Sequence, residues 1–274
     1  MDSSGNFGKS FGVMQGRLSK LTSLGYQAFP MENWKNEFQI AEKLGLQHIE
    51  WIFDKHSPSM NPILDSVELP NFLIHQKVKV ISVCGDYFMD HQIHSGSIDN
   101  IQIFQTLLVS LQNQGINMLI LPFVDQSSAV KIYGLTHLID TLNMLDNMIE
   151  KSNVKIALET DLNPLDFKRL LNSINTERYC VNYDIGNSAS LGYNFEEEIR
   201  SYGDFIKILH IKDRKLHGSS VQLGLGDAQI REILVLLLSR ESEIITTLQC
   251  YRDEEGIKIL EEQISYLRLL FKNL

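Results

Sequence analysis

Long apolar runs are absent from this 274-residue sequence, and none approaches the roughly 18 residues that a helix needs to cross a bilayer. Cysteine is scarce: there are only three, Cys84, Cys180 and Cys250, and no two of them have the spacing of a metal site. The first ten residues are polar and rich in Gly and Ser, without the apolar centre of a secretion signal. We therefore expect a cytoplasmic protein in a reducing compartment, with no membrane partner.

Positive charge is also in short supply, since 25 Lys and Arg face 34 Asp and Glu and leave a net charge of −9. Proteins that bind nucleic acid duplexes are usually basic, because they neutralise phosphates, so we expect no nucleic-acid partner. Only six prolines occur, and no linker or low-complexity tract divides the chain. We expect one domain over residues 1–274, with a flexible N-terminus over residues 1–9.

Short apolar segments rich in Val and Ile recur eight times, as is typical of strands buried on both faces. Longer segments with apolar residues at helical spacing lie between them and predict helices. The predicted strands cover residues 10–14, 47–53, 78–83, 117–122, 154–159, 179–183, 205–211 and 244–250, and the predicted helices cover residues 34–44, 98–112, 135–148, 165–174, 230–238 and 256–271.

Eight strand–helix units in a chain of this length predict the α/β fold of a (β/α)8 TIM barrel. The rival is a doubly wound open sheet, which usually carries a G-x-G-x-x-G phosphate loop after an early strand. No such loop occurs there. The later segment 224–227, GLGD, follows the seventh predicted strand and lacks the third glycine.

Polar residues end four successive predicted strands: Glu159, Asp184, His210 and Gln249. Neighbouring strand ends of a barrel meet at one mouth, so these side chains can converge. Two carboxylates, an imidazole and an amide oxygen form a mixed oxygen and nitrogen donor set. Such a set suits Mn²⁺, Mg²⁺ or Co²⁺ and differs from the thiolate ligands of a typical zinc site. Each residue also has a structural alternative: a Glu can cap a helix, an Asp before Ile-Gly can shape a turn, and a lone His can be a satisfied core residue.

Segments at the later strands resemble the xylose isomerase-like TIM-barrel superfamily, which includes sugar phosphate isomerases and epimerases, an inosose dehydratase and an endonuclease branch. These segments are VKIALET, YDIGN, ILHIKDRK and LGLGD. The earlier segments GVMQGRLS, HIEWIFD and CGDYFMD are similar to a bacterial subgroup of the same superfamily. The resemblance covers essentially the whole chain.

The resemblance implies a divalent metal ion, Mn, Mg, Co or Zn, held by Glu159, Asp184 and His210. The family's fourth ligand is a glutamate, but this chain has Gln249 at that position. In the family's epimerases the two glutamates face each other across the substrate and move a proton at the carbon beside the carbonyl. Several of those epimerases also carry a histidine where this chain has Asn187, and Arg214 matches an arginine placed near the substrate oxygens.

The resulting hypothesis is a metal-dependent isomerase or epimerase that acts on a small sugar, sugar phosphate or polyol through an enediolate. The chain is also expected to be able to form a homo-oligomer. We assign catalytic positions to Glu159, the general base, and to Gln249 and Lys212. Substrate binding is assigned to Arg17, Asn187, Arg214 and Asp86, and the last of these belongs to a polar cluster with Tyr87, Asp90 and His91.

Gln249 keeps other hypotheses open, because an amide can offer an oxygen to a metal but cannot act as a base. Lys212 can point away from the pocket and Asp213 can cap a turn, so both are weak as second proton donors. Isomerisation or elimination is then expected to be faster than epimerisation, with a gain in epimerisation from Gln249→Glu. The alternatives are a dehydratase and a barrel that binds a ligand without catalysis. A repair endonuclease is disfavoured, because its three-metal cluster needs many histidines at strand ends.

Overall fold

The computed structural model of the protein describes residues 11–274 apart from residues 57, 129, 130, 132, 133, 241 and 242. The N-terminus expected to be flexible, residues 1–9, and the first residue of the first predicted strand lie outside the described residues. Among the described residues, no helix combines the length and the apolar character that a membrane span requires.

Eight parallel strands close into a barrel in the order β1-β10-β7-β6-β5-β4-β3-β2. The short strands β8 and β9 form a separate antiparallel pair. Because β1 pairs with both β2 and β10, the sheet has no open edge, and this closure confirms the (β/α)8 barrel and excludes the doubly wound sheet. The strands are β1 Gly12–Met14, β2 His48–Ile52, β3 Lys79–Cys84, β4 Met118–Phe123, β5 Lys155–Thr160, β6 Tyr179–Asp184, β7 Ile206–Ile211, β8 Asp213–Arg214, β9 Ser220–Val221 and β10 Ile245–Leu248.

Helices surround the barrel, and each of the six predicted helices is present with its ends shifted by two residues or fewer. The helices in the described part of the chain are α1 Trp34–Lys43, α2 Glu68–Leu73, α3 Tyr87–Asp90, α4 Ile98–Asn113, α5 Gly134–Ile149, α6 Pro164–Asn172, α7 Ile185–Leu191, α8 Phe195–Tyr202, α9 Ile230–Leu238 and α10 Ile257–Lys272. Single 3₁₀ turns occur at Pro58–Met60, Pro62–Leu64, Ile93–Ser95, Asp125–Ser127 and Gly203–Phe205.

The sequence analysis missed four helices, α2, α3, α7 and α8, because each spans only one or two turns and shows little periodicity. Two of them begin at side-chain caps. Asp184 accepts a hydrogen bond from the Asn187 N–H at the start of α7, and Asn194 accepts one from the Glu197 N–H at the start of α8. Caps of this kind stabilise helices too short to form on their own.

The interior of the barrel is polar along its axis. At the amino end, a side chain on Gly12 would collide with the His48 ring, whose Nε2 lies 2.9 Å from Thr247 Oγ1. Further along, Glu50 and His210 are fully buried inside the ring of strands. Polar side chains therefore lead from the closed end of the barrel to the carboxyl mouth of the strands, where barrel active sites form.

Asp213 organises the loop after β7, so its role extends beyond the cap of a single turn. Its carboxylate is buried and accepts hydrogen bonds from the backbone N–H groups of Gly224 and Gly226, both at 2.9 Å, and of Ala228 at 3.1 Å. A Cβ at Gly226 would lie 1.9 Å from Asp213 Oδ1, which explains the glycine in the GLGD segment. This loop continues from the strand pair β8–β9 at the barrel mouth.

Asp213→Asn should destabilise the fold. The two carboxylate oxygens accept three backbone N–H hydrogen bonds, and an amide would replace one of these oxygens with a nitrogen that cannot accept. We expect a loss of about 1–3 kcal/mol in the free energy of unfolding, the typical cost of an unsatisfied buried polar group. Urea denaturation measures it, with Asp140→Asn, an exposed change on α5, as the control. Equal midpoints for Asp213→Asn and the parent would contradict the assigned role.

Candidate active site at the carboxyl mouth of the barrel

Three of the predicted ligands meet at the carboxyl ends of neighbouring strands β5, β6 and β7. Glu159, Asp184 and His210 are all buried, and one ligand atom from each lies within 4.8 Å of the other two. Asp184 and His210 are register partners on adjacent strands, which places their side chains next to each other. The three groups could hold a metal ion, since two carboxylates and an imidazole form a suitable donor set.

Two asparagine side chains hold the Glu159 carboxylate in place. Asn187 Nδ2 donates to Oε1 at 2.7 Å, and Asn182 Nδ2 donates to Oε2 at 2.8 Å. Burial raises the pKa of Glu159 to about 7, and the negative charge of Asp184 adds to the rise while His210 and Lys212 oppose it. A carboxyl group with a pKa near neutrality can both accept and return a proton at that pH.

Glu50 on β2 holds His210 from the other side. His210 Nε2 lies 2.8 Å from Glu50 Oε1, and Ser82 Oγ donates to Glu50 Oε2 at 2.8 Å. Burial alone would lower the pKa of His210, but the Glu50 carboxylate outweighs it, with help from Glu159 and Asp184, and the pKa rises to about 9. The Nδ1 atom faces Glu159 Oε2 at 3.7 Å, so Nδ1 is the nitrogen turned toward the other two groups.

Lys212 points into the site and not away from it. Its ammonium donates to Asp184 Oδ2 at 3.3 Å, to Asn187 Oδ1 at 3.2 Å and to Gln249 Oε1 at 3.3 Å. Arg214 Nη1 also donates to Asn187 Oδ1, at 2.8 Å. The Asn187 side chain therefore joins the general-base candidate Glu159 on one side to two cations on the other.

Gln249 lies just beyond β10, although its backbone N–H still bonds to the Ile211 carbonyl at 3.1 Å. Its side-chain oxygen contacts the Lys212 ammonium, and its neighbourhood thus includes both Asp184 and Lys212. The structure places Gln249 on the same cavity as Glu159, at the position predicted from the sequence.

A cavity of about 180 Å³ opens beside these groups at the carboxyl mouth. Six residues predicted to have catalytic or substrate-binding roles share its wall: Asp86, Glu159, Asn187, Lys212, Arg214 and Gln249. Tyr26, Gln27, Met89, Pro122, Val124, Asp125 and Ser220 complete it.

Arg17 does not line this cavity. It is buried behind Tyr26, with its guanidinium carbon 5.0 Å from the centre of that ring and its Nε donating to the Cys250 carbonyl at 3.3 Å. Tyr26 is itself part of the cavity wall, with Arg17 against its ring, and its hydroxyl accepts a hydrogen bond from the Arg252 N–H at 2.8 Å. Arg17 therefore lies behind the wall that a substrate would touch.

The polar cluster predicted after β3 separates in the structure. Asp86 lines the cavity, whereas His91 stacks on Tyr87 at 4.3 Å between ring centres and Asp90 pairs with Lys55 at 2.9 Å on the surface. Only Asp86 of this cluster therefore belongs to the cavity wall.

Two residues of the site escaped the sequence analysis, Glu50 and Asn182. Each is a polar residue at the interior of a strand, in HIEWI and YCVNYD, and neither stands at a strand end. A charged or amide side chain inside an apolar strand was the available signal, because such a group must find a partner when it is buried.

Comparison with known proteins agrees with this geometry. A family model described as a xylose isomerase-like TIM barrel matches residues 38–270. None of the curated proteins compared with the chain matches it.

Solved structures of the same shape span almost the whole chain. The IolI protein with a bound zinc atom is 17% identical with a TM-score of 0.73, and the alignment covers 96% of this chain and 97% of that one. A 3-keto-D-glucoside 4-epimerase from E. coli is 15% identical with a TM-score of 0.68, covering 95% and 99%. A probable 3-DHS dehydratase from Bacillus anthracis is 14% identical with a TM-score of 0.68, covering 94% and 98%.

At these identities the structural likeness shows the fold alone. The family match extends over most of the sequence and includes the strands that carry Glu159, Asp184 and His210. The chain belongs to the xylose isomerase-like TIM-barrel family.

Proposed function

We propose that this protein is a divalent-metal-dependent isomerase or epimerase of a small sugar, sugar phosphate or polyol. The observation that carries the proposal is the buried group of Glu159, Asp184 and His210 beside a small cavity that Lys212 and Arg214 also line. Structures of similar shape include an epimerase and a probable dehydratase, so both kinds of enzyme occur on this fold.

The donor set fits a divalent ion in both its chemistry and its surroundings. Glu159 and Asp184 would supply oxygen atoms and His210 its Nδ1, because its Nε2 faces Glu50. A ligating histidine whose second nitrogen meets a carboxylate is the arrangement that orients such a ring. When bound, the ion would polarise a substrate carbonyl and stabilise negative charge on its oxygen.

Glu159 is the proposed general base. Its carboxylate lines the cavity, and two asparagine amides fix its orientation. It would remove the proton from the carbon next to the carbonyl, and the electron pair released would form the double bond of an enediolate.

Lys212 and Arg214 would orient substrate oxygens. They contact the Oδ1 atom of Asn187, whereas its Nδ2 atom contacts Glu159. Both cations donate to the same Asn187 Oδ1, so neither is free to turn away without losing that contact. Fixed cations beside the cavity favour a substrate with hydroxyl, carboxylate or phosphate oxygens.

A dehydratase is the second candidate, because Gln249 supplies no base at the position where the resemblance implies a glutamate. Elimination needs only one base: Glu159 would remove the proton, the C–H electron pair would form the C=C bond, and the same group would return the proton to the leaving hydroxyl, which departs as water. Product mass separates the two reactions, since elimination lowers it by one water.

Activity should depend on Glu159. In D₂O with Mn²⁺, the parent should exchange the carbon-bound proton of a ketose, sugar phosphate or inosose, as measured by NMR. Glu159→Gln should lower exchange by about 10²–10⁴-fold, the range for loss of a general base. Glu232→Gln, an exposed change on α9, is the control. Equal exchange by Glu159→Gln and the parent would exclude this base.

Metal binding should depend on His210. His210→Ala removes the only nitrogen donor of the group, so Mn²⁺ affinity should fall by more than the roughly 10–100-fold typical of losing an outer contact. Titration calorimetry measures the affinity, and circular dichroism checks the fold. His75→Ala is the control, because this histidine is exposed. Parent-like binding by His210→Ala would show that the ligand assignment is wrong.

Gln249→Glu should tighten Mn²⁺ binding by about tenfold, because an anionic oxygen replaces a neutral one and ligand charge tunes metal affinity. The same calorimetric titration measures the change. Gln102→Glu adds an equal charge on the exposed face of α4 and serves as the control. An unchanged affinity in Gln249→Glu would place the Gln249 side chain outside the coordination sphere.

A further inference from the structure

The cavity holds a second buried carboxylate besides Glu159. Among its described lining residues, Asp86, Asp125 and Glu159 are acidic, and Asp125 is exposed. Asp86 is 8% exposed and Glu159 is 6% exposed. The cavity therefore has two buried carboxylates even though Gln249 provides none.

The two carboxylates enter the cavity from two nearby strands of the barrel. Asp86 follows β3 and Glu159 lies on β5, and only β4 stands between these strands in the closed ring. β7, which carries His210, lies across the mouth from β3, with three strands between them in either direction. A small molecule bound between the metal group and β3 would contact Glu159 and Asp86 from two different directions.

Asp86 makes few hydrogen bonds for a buried carboxylate. It occupies the N-cap position of α3, but its side chain caps no backbone N–H. Oδ1 accepts a hydrogen bond from the Cys84 thiol at 3.4 Å, and Oδ2 has no partner among the described residues.

Four other buried acids outside the metal group are bonded through both oxygens. The carboxylates of Glu37, Asp54, Glu198 and Asp213 each have hydrogen bonds to both oxygens. A buried carboxylate oxygen without a partner is costly and calls for an explanation, such as a water, an ion or a catalytic role. Asp86 differs from these structural acids in this respect.

Burial and the neighbouring charges bring the pKa of Asp86 close to neutrality. Burial raises the pKa of Asp86 to about 7, while the Cys84 thiol, Arg17 and His210 oppose the rise and Glu50 adds to it.

We propose that Asp86 is the second acid–base residue of the site and supplies the carboxyl group that position 249 lacks. This role rests on the proposed function, since it needs a substrate whose proton Glu159 removes. It makes epimerisation available to the parent protein, which is the opposite of the outcome expected from Gln249 alone.

The proton transfers balance as follows. Ionised Glu159 accepts the proton from the carbon beside the carbonyl, the C–H electron pair forms the C=C bond, and the carbonyl pair moves to oxygen. Protonated Asp86 then delivers its proton to the other face of that carbon, where the C=C pair forms the new C–H bond and the carbonyl returns. Glu159 ends protonated and Asp86 ionised, and solvent exchange or the reverse reaction restores both.

The test compares Asp86→Asn with the parent on D-fructose, D-tagatose, their 6-phosphates and an inosose in D₂O with Mn²⁺. NMR follows two quantities separately: deuterium uptake into the substrate and formation of the inverted epimer. Asp86→Asn should lose epimer formation by about 10²–10⁴-fold. Its deuterium uptake should stay within a few-fold of the parent, and its Mn²⁺ affinity should be unchanged because Asp86 is not a ligand.

Two further variants sharpen the result. Asp90→Asn lies in the same short segment, is exposed and should behave as the parent does. Adding Gln249→Glu to Asp86→Asn restores a carboxyl group on another side of the cavity and should recover part of the epimer formation.

Three other results would overturn the role of Asp86, and a fourth would overturn both this role and the proposed function. Parent-like epimer formation by Asp86→Asn would overturn the role of Asp86 alone, as would joint loss of epimer formation, deuterium uptake and Mn²⁺ affinity. A parent that takes up deuterium but forms only an isomer or a dehydrated product would also overturn this role and leave the proposed function standing. A parent that takes up no deuterium from any probe would overturn both.

Discussion

His210 is held between Glu50 and Glu159 inside the barrel, and the rest of the site depends on this arrangement. Three acidic side chains, Glu50, Glu159 and Asp184, are buried around one imidazole. Buried carboxylates are tolerable only when positive charge and hydrogen bonds surround them. The Lys212 ammonium supplies positive charge, and a divalent ion held by Glu159, Asp184 and His210 would supply the rest, which is why the site favours a cation.

Buried acidic side chains have two kinds of environment in this fold, and the hydrogen bonds to their oxygens distinguish the two kinds. Asp213 has three backbone N–H donors and holds a loop, and Glu198 has three hydroxyl donors and joins helices to the sheet. Glu159 has amide donors but faces an open cavity, and Asp86 has an oxygen without a partner. Burial raises the pKa of both cavity acids, which distinguishes them as candidates for proton transfer.

Strand positions and most of the site were predictable from the sequence, because a parallel barrel places successive strand ends at one mouth. That rule found Glu159, Asp184 and His210 before any coordinates, and it located Gln249 on the same cavity. Contacts through the barrel interior were not predictable in this way. Glu50 reaches His210 across strands far apart in sequence, and the position of Arg17 behind Tyr26 depends on loop packing that has no periodic pattern.

We propose that Glu159, Asp184 and His210 form a divalent-metal site at the carboxyl mouth of the barrel. Anomalous diffraction from crystals grown with Mn²⁺ is the direct test, because the manganese signal locates the ion independently of any assay. We expect one peak between these three side chains, with His210 coordinating through Nδ1 and its Nε2 still facing Glu50. A well-occupied peak elsewhere on the chain, or an empty density between these three residues at saturating Mn²⁺, would contradict it.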